Sequence, residues 1–424
     1  MDIIIRKSEY IGCVPAPASK SFLHRYLFLS AACGDNTQIN FSGKVSDDIK
    51  ATVNCLESFG AEITENEKGF LVTPARYGGN AKFDSLESGT TFRFSVPLAA
   101  AFRKNAEIFC RGRLKDRPNK PFFDSLSEHG VKISDETLPV RVSGDLQGGI
   151  FTLPGNISSQ FVSAILTALP VSKQSGTIKL TSRLQSDSYV KMTASAMEKF
   201  GVKVNFSENG FSVNGKNGYV SPKEINCPND WSNAAYFLCL GAISGKMSVS
   251  GLSFDDFQGD SRITDILKRF GADVKIENGI VTVSKKPLKG TEIDAFDIPD
   301  LVCVLAVVAC AAVGKTVIKN TQRLRYKESD RIESTKNMIR SLGGDISYRN
   351  GNLEINGKGY LDGGEVSSCS DHRIAMSTAV ARAICKNDII LRNASSVSKS
   401  YRDFFEIFEK AGGKYDVIQL RQCF

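Results

Sequence analysis

The sequence predicts a mixed α/β (α+β) fold of two domains, each built from three copies of a β-α-β-α-β-β-type unit. Three observations predict it. First, six helix-like stretches run into a glycine and then a short strand-like tail, at 60–63, 130–133, 201–204, 271–274, 343–346 and 412–415. These glycines stand about 70 residues apart, the mark of a tandem structural module. Second, a more apolar helix begins at the same interval, near Lys20, Gly89, Ser159, Ser232, Asp300 and His372. Third, hairpin signals follow several of the glycines.

The elements of one copy read as helix, strand, turn, strand, helix. Ile263, Ile266, Leu267 and Phe270 lie on one face of a helix over 262–270, and Gly271 is a natural C-terminal cap. Asn209-Gly210, Asn278-Gly279 and Asn350-Gly351 sit between alternating apolar residues, the chemistry of a two-residue turn. Helices at 161–169, 234–240, 301–313 and 374–384 are apolar enough to be deeply buried. The last copy stops after one strand, at Phe424, and the chain opens with a strand at 3–6. The simplest closure has that first strand complete the last module. The domains then cover 17–226, and 1–16 plus 227–424, with crossings near Pro15-Ala16-Pro17 and Cys227-Pro228.

Composition limits the partners. The 424 residues are 42% hydrophobic and 24% charged, ordinary for a globular chain. No secretory leader pattern is present, and the longest apolar run, 301–313, is too short to span a bilayer. Eleven cysteines without a Cys-x-x-Cys pair suggest reduced thiols and a cytoplasmic protein, and the three histidines show no metal-ligand spacing. A mild net charge of +8 argues for neither nucleic acid nor membrane and suits small anionic substrates.

The helix starts are where the copies differ most. They read Ser19-Lys20-Ser21 with Arg25, Glu87-Ser88-Gly89-Thr90 with Arg93, Ser158-Ser159-Gln160, Asp300, and Asp371-His372-Arg373. Helix N-termini carry about half a positive charge, so Lys20 and Arg373 in a first turn call for an anion. Ser158 and Ser159 are also ordinary caps. Equivalent helices should point the same way, so several N-termini would face the gap between domains and favour anions there. The other helix row is marked by Arg117 before Pro118 as a helix-starting proline, by Ser186 and Tyr189 preceding a helix, by the run 323–331, and by Ser398-Lys399-Ser400-Tyr401. There is no phosphate-binding Gly-x-x-x-x-Gly-Lys loop, no Gly-x-Gly-x-x-Gly and no Gly-x-Ser-x-Gly. Many cations and hydroxyls with few carboxylates, Asp300 and Glu328 foremost, suit substrates rich in phosphate and carboxylate and acid–base chemistry.

Taken in order and at these spacings, the marked residues resemble the enolpyruvyl transferase family over essentially the whole chain, and within it the branch that acts on shikimate 3-phosphate. The resemblance implies a two-domain inside-out barrel that closes over its substrates. It implies transfer of the enolpyruvyl group of phosphoenolpyruvate to the 5-hydroxyl of shikimate 3-phosphate, through a tetrahedral ketal, in a cytoplasmic monomer without metal or cofactor. By the same resemblance, Lys20, Ser21, Arg25, Ser158, Ser159, Gln160, Ser186, Asp300 and Lys327 would hold shikimate 3-phosphate. Lys20, Gly89, Arg117, Gln160, Arg331, Arg373 and Lys399 would hold phosphoenolpyruvate. Asp300 would be the base and Glu328 the acid, with Lys20 also catalytic. Ala18, His24, Glu87, Phe94, Arg323 and Arg402 depart from the family pattern.

Two rivals remain. The sister branch acts on UDP-N-acetylglucosamine and carries a reactive cysteine five residues before the Arg of its Arg-Pro pair; here that position is Gly112, and Cys110 is two residues early. A phosphate- or nucleic-acid-binding repeat protein should show more concentrated basic surface and base-stacking aromatics than this chain, with its single Trp, offers.

Overall fold

The computed structural model describes residues 1–134 and 138–418, so the predicted end of the last copy at Phe424 lies outside them. The described residues form six four-stranded sheets of one pattern. In each, the first strand is parallel to the second, the second antiparallel to the third, and the third antiparallel to the fourth. Asn80–Asp84, Asn105–Phe109, Val140–Gly144 and Val131–Ser134 form one such sheet in that order. Period-two burial sets the faces: Phe70 and Val72 of Gly69–Thr73 are buried while Leu71 between them is 38% exposed.

Among the described residues, twelve α-helices accompany the sheets. They are α1 (Lys20–Ala31), α2 (Asp47–Ser58), α3 (Gly89–Ala101), α4 (Lys120–Ser127), α5 (Ser159–Val171) and α6 (Asp187–Lys199). The rest are α7 (Trp231–Ser244), α8 (Ile263–Phe270), α9 (Val302–Ala311), α10 (Arg331–Ser341), α11 (His372–Ala381) and α12 (Phe404–Lys410). The odd-numbered helices are the buried row. The even-numbered ones lead to the repeated glycines, and Gly60, Gly130, Gly201, Gly271, Gly343 and Gly412 all take φ between 80° and 108°. That left-handed conformation ends a helix at no steric cost to glycine, which is why the residue recurs.

The chain divides into two compact units. The first holds Ala18–Pro228 with Asp255–Gln258; the second holds Met1–Pro17, Asn229–Phe254 and the chain from Gly259 on. Each has its own apolar core. Strands distant in sequence complete sheets in both. In the first unit Glu224–Asn226 pairs with Thr37–Asn40. In the second, Ile11–Pro15 pairs with Lys246–Ser250, and Ile3–Arg6 lies between Ile389–Arg392 and Lys414–Val417. No helix among the described residues is long and apolar enough to cross a membrane.

Four local expectations are corrected. The apolar helix expected over 301–313 spans only Val302–Ala311; Val313, though apolar, is exposed and opens a strand, because an apolar run does not itself mark where a helix ends. Asn278-Gly279 and Asn350-Gly351 are two-residue turns with both φ positive, but the third hairpin turns at Glu208-Asn209. There Gly210 already pairs as a strand residue, and a Cβ on it would lie 2.0 Å from the Ile178 carbonyl oxygen. Pro118 does not start a helix: α4 begins at Lys120, with Pro121 in its first turn. Tyr189 lies within α6 rather than before it.

Candidate active site

In the first unit, polar side chains link the starts of α1, α3 and α5. Lys20, the first residue of α1, donates to Asp48 Oδ2 at 2.6 Å, and Asp48 lies in the first turn of α2. The anion that the helix start called for is thus met, in this structure, by a carboxylate of the chain. Ser21 follows, and its carbonyl accepts from Arg25 Nη1 at 2.7 Å. The same buried guanidinium donates to Thr193 Oγ1 at 2.8 Å and to the Tyr189 carbonyl at 2.9 Å. Burial among neutral acceptors lowers it to about 10. His24 is buried beside Thr52 Oγ1 at 2.7 Å. Burial, with Lys20 and Arg25 nearby, pushes its imidazole well below the ordinary value, so it is neutral.

Gly89 opens α3 beneath Arg117. A Cβ at Gly89 would lie 3.0 Å from Arg117 Nη1 and 3.4 Å from Gln160 Oε1. Gln160, in the first turn of α5, accepts from Arg93 Nη1 at 2.8 Å and donates to Thr90 Oγ1 at 2.9 Å. Ser158 caps α5, accepting from Gln160 N at 3.3 Å, and Ser159 is buried as its first residue. Ser186 caps α6 in a left-handed conformation, φ 57°. For a serine that conformation costs about 1 kcal/mol.

In the second unit the centre is Arg331, the first residue of α10, whose side chain is 1% exposed. Its Nη1 donates to Asp300 Oδ1 at 2.6 Å, its Nη2 to Glu328 Oε2 at 2.6 Å and its Nε to Asp371 Oδ2 at 2.8 Å. Burial alone would lower Arg331, but Asp371, Glu328 and Asp300 carry it well above its ordinary value. Asp300 lies in the turn before α9, not at its cap, and its carboxylate also meets Lys327 Nζ at 3.7 Å. Burial, with Arg331 and Arg323, presses the Lys327 ammonium down to about 8 against the pull of Asp300 and Glu328.

Asp371 caps α11, accepting from Arg373 N at 2.9 Å. Arg373 Nη1 donates to the Ser232 carbonyl at 3.2 Å. Lys399 donates to the Ser370 carbonyl at 2.6 Å, just ahead of α11. Arg, unlike Lys, offers several donors in a fixed plane, which suits carboxylate and phosphate.

The structure therefore pairs Lys20 with Asp48 and Arg25 with the Ser21 carbonyl, joins Ser158 and Gln160 through Arg93, and sets Gly89 close against Arg117, all in the first unit. Asp300, Lys327, Glu328, Arg331 and Arg373 gather in the second unit, with Lys399 at the approach to α11. Carboxylates are more numerous than the sequence suggested. Asp48 and Asp260 were missed, and Asp371 was marked only as part of a helix start, because their partners Lys20, Ser232 and Arg331 reach them through tertiary packing. The reactive-cysteine rival loses ground here. Gly112 has φ 55°, where a cysteine would be strained. Cys110 is buried, and burial with Asp84 and Asp116 holds its thiol up at about 11.

Among the described residues, six sheets share one strand pattern, and helix starts in each unit place Lys or Arg against carboxylates. In fold the chain is similar to the enolpyruvyl transferase NikO of Streptomyces tendae, with TM-score 0.79, 17% identity and 98% of each chain covered. It is similar also to the EPSP synthase of Acinetobacter baumannii, with TM-score 0.80, 25% identity and 99% of each chain covered. The 3-phosphoshikimate 1-carboxyvinyltransferase of Clostridium novyi is 35% identical over 431 aligned residues, 98% of each chain. The sequence model described as EPSP synthase (3-phosphoshikimate 1-carboxyvinyltransferase) matches residues 6–408. The chain belongs to the EPSP synthase family.

Proposed function

We infer that this chain transfers the enolpyruvyl group of phosphoenolpyruvate to the 5-hydroxyl of shikimate 3-phosphate, giving 5-enolpyruvylshikimate 3-phosphate and phosphate. The observation that carries the reading is Arg331, which holds Asp300 and Glu328 on one guanidinium at 2.6 Å each. One carboxylate is placed to take a proton while its neighbour gives one. In addition, Asp300 accepts the 5-hydroxyl proton, the oxygen attacks C2 of phosphoenolpyruvate, and Glu328 protonates the methylene C3. In elimination, a proton returns from C3 to Glu328, the bond from C2 to the phosphate oxygen breaks, and the proton held on Asp300 leaves with the phosphate. Acid–base assistance of this kind is worth about 10²–10⁴ in rate.

We assign Lys20, Ser21, Arg25, Ser158, Ser159, Gln160, Ser186, Asp300 and Lys327 to shikimate 3-phosphate. Lys20, Gly89, Arg117, Gln160, Arg331, Arg373 and Lys399 are assigned to phosphoenolpyruvate. Donors already fixed at helix starts stabilise the developing charge without reorganising at the moment of reaction. Lys20, held by Asp48 at 2.6 Å, adds an ammonium at the start of α1. We further place the protein in the cytoplasm as a monomer; none of the described cysteines is in a disulfide, as suits a reducing compartment.

The test is phosphate release from phosphoenolpyruvate with either shikimate 3-phosphate or UDP-N-acetylglucosamine as acceptor. Release with the first alone is expected. Release with only the second would transfer the chain to the sister activity.

A further inference from the structure

Asp260 lies outside every role assigned above, yet it is 4% exposed. It belongs to the short 3-10 turn Gly259–Arg262 that precedes α8. Ser232, in the first turn of α7, donates its Oγ to Asp260 Oδ2. The carbonyl of that same Ser232 accepts from Arg373 Nη1 at 3.2 Å. Arg373 is held from its other end by Asp371, which also holds Arg331. Asp260 thus anchors Ser232, whose backbone carbonyl accepts from the Arg373 guanidinium. We propose that Asp260 is a positioning residue for phosphoenolpyruvate: through Ser232 it sets the Arg373 guanidinium where the substrate anion is held.

A buried carboxylate in an anion site is costly, and its surroundings show how the cost is met. From α7 it faces Ser232 and Asp230, from the turn before α9 Asp300, and from α11 Arg373. Burial, with Asp300 and Asp230, pushes the Asp260 carboxyl up to about 7, while Ser232 and Arg373 pull it down. Below that pH the group is neutral and only positions. Above it, a negative charge develops beside Arg373 and competes with the substrate anion. The affinity for phosphoenolpyruvate should therefore weaken as pH rises through about 7, by a component that belongs to Asp260 alone.

The proposal rests on the assignment of Arg373 to phosphoenolpyruvate, so Arg373→Gln is measured alongside and must raise the KM for phosphoenolpyruvate. Steady-state kinetics at pH 6 on Asp260→Ala, Ser232→Ala and the double variant should show that KM up by about tenfold in each, since a small misplacement of a binding group is enough. The double variant should show no further loss, because both act through one anchor. The KM for shikimate 3-phosphate should stay within about threefold throughout, which separates positioning from general damage. Asp260→Asn, whose amide oxygen still accepts from Ser232, should restore the pH 6 value. It should also lose the rise above pH 7 that the unaltered protein shows. Should Asp260→Ala not fold, the Asp260→Asn pH profile decides alone. An unchanged KM for phosphoenolpyruvate in folded Asp260→Ala, or a pH profile of Asp260→Asn that parallels the unaltered protein, would overturn the proposal if Arg373→Gln has its effect. If Arg373→Gln has none, the substrate assignment falls instead.

Discussion

Arg331 Nη1 donates to Asp300 Oδ1 at 2.6 Å from a guanidinium that is otherwise committed to Glu328 and Asp371. One buried guanidinium therefore donates to three carboxylates. Replacing it takes away the cation the three share, and breaking a buried ion pair typically costs about 3–5 kcal/mol. Arg331→Gln should lose stability on that scale by urea denaturation, beside losing turnover. An Arg331→Gln protein as stable as the unaltered one would show that the carboxylates do not depend on it.

Much of the fold was legible because the repeat prints the same physical requirement six times. A helix must end at each glycine, and each one takes the left-handed conformation. The shortfalls came where tertiary packing overrode a local signal. Gly210 looked like a turn residue but leaves room for the Ile178 carbonyl, and the apolar run from Leu301 hid a change from helix to strand at Val313. At the site, cations at helix starts stood out because the helix dipole disfavours them. Their carboxylate partners did not: Asp48 reaches Lys20, and Asp371 reaches Arg331, across folded space.

Gly412 carries the sharpest version of the helix-end requirement. Its φ is 92°, and a Cβ there would lie 2.2 Å from the Glu9 carbonyl oxygen. Gly412→Ala should cost more than the roughly 1–2 kcal/mol of a left-handed L-residue alone. Thermal unfolding of the variant checks this, and an unchanged midpoint would contradict it.

Lys327 supplies a pH signature. Its ammonium is protonated below about 8 and is lost as pH rises through that value. If it holds shikimate 3-phosphate, the KM for that substrate should be level from pH 6 to 7.5 and climb above about 8. Lys327→Met should give a raised KM without the climb. A wild-type KM that stays level to pH 9.5 would remove Lys327 from the binding set.

Cys110 should be dispensable. It is buried, and its thiol titrates near 11, so almost none is thiolate at neutral pH. Cys110→Ser should keep most of the turnover in the phosphate-release assay. Loss of activity in a folded Cys110→Ser protein would revive a cysteine-dependent mechanism.

The most direct measurement is single-turnover kinetics of Asp300→Asn. Asp300 is not the cap of α9, so a role in helix stability does not account for its position. The asparagine oxygen can still accept from Arg331, and Glu328 and Asp371 still hold that guanidinium. The variant should therefore fold and bind shikimate 3-phosphate. It cannot take the 5-hydroxyl proton, and losing a general base costs about 10²–10⁴ in rate. The account predicts phosphate release slowed by at least about a hundredfold with shikimate 3-phosphate still bound. Release at close to the wild-type rate from a folded Asp300→Asn protein would contradict it.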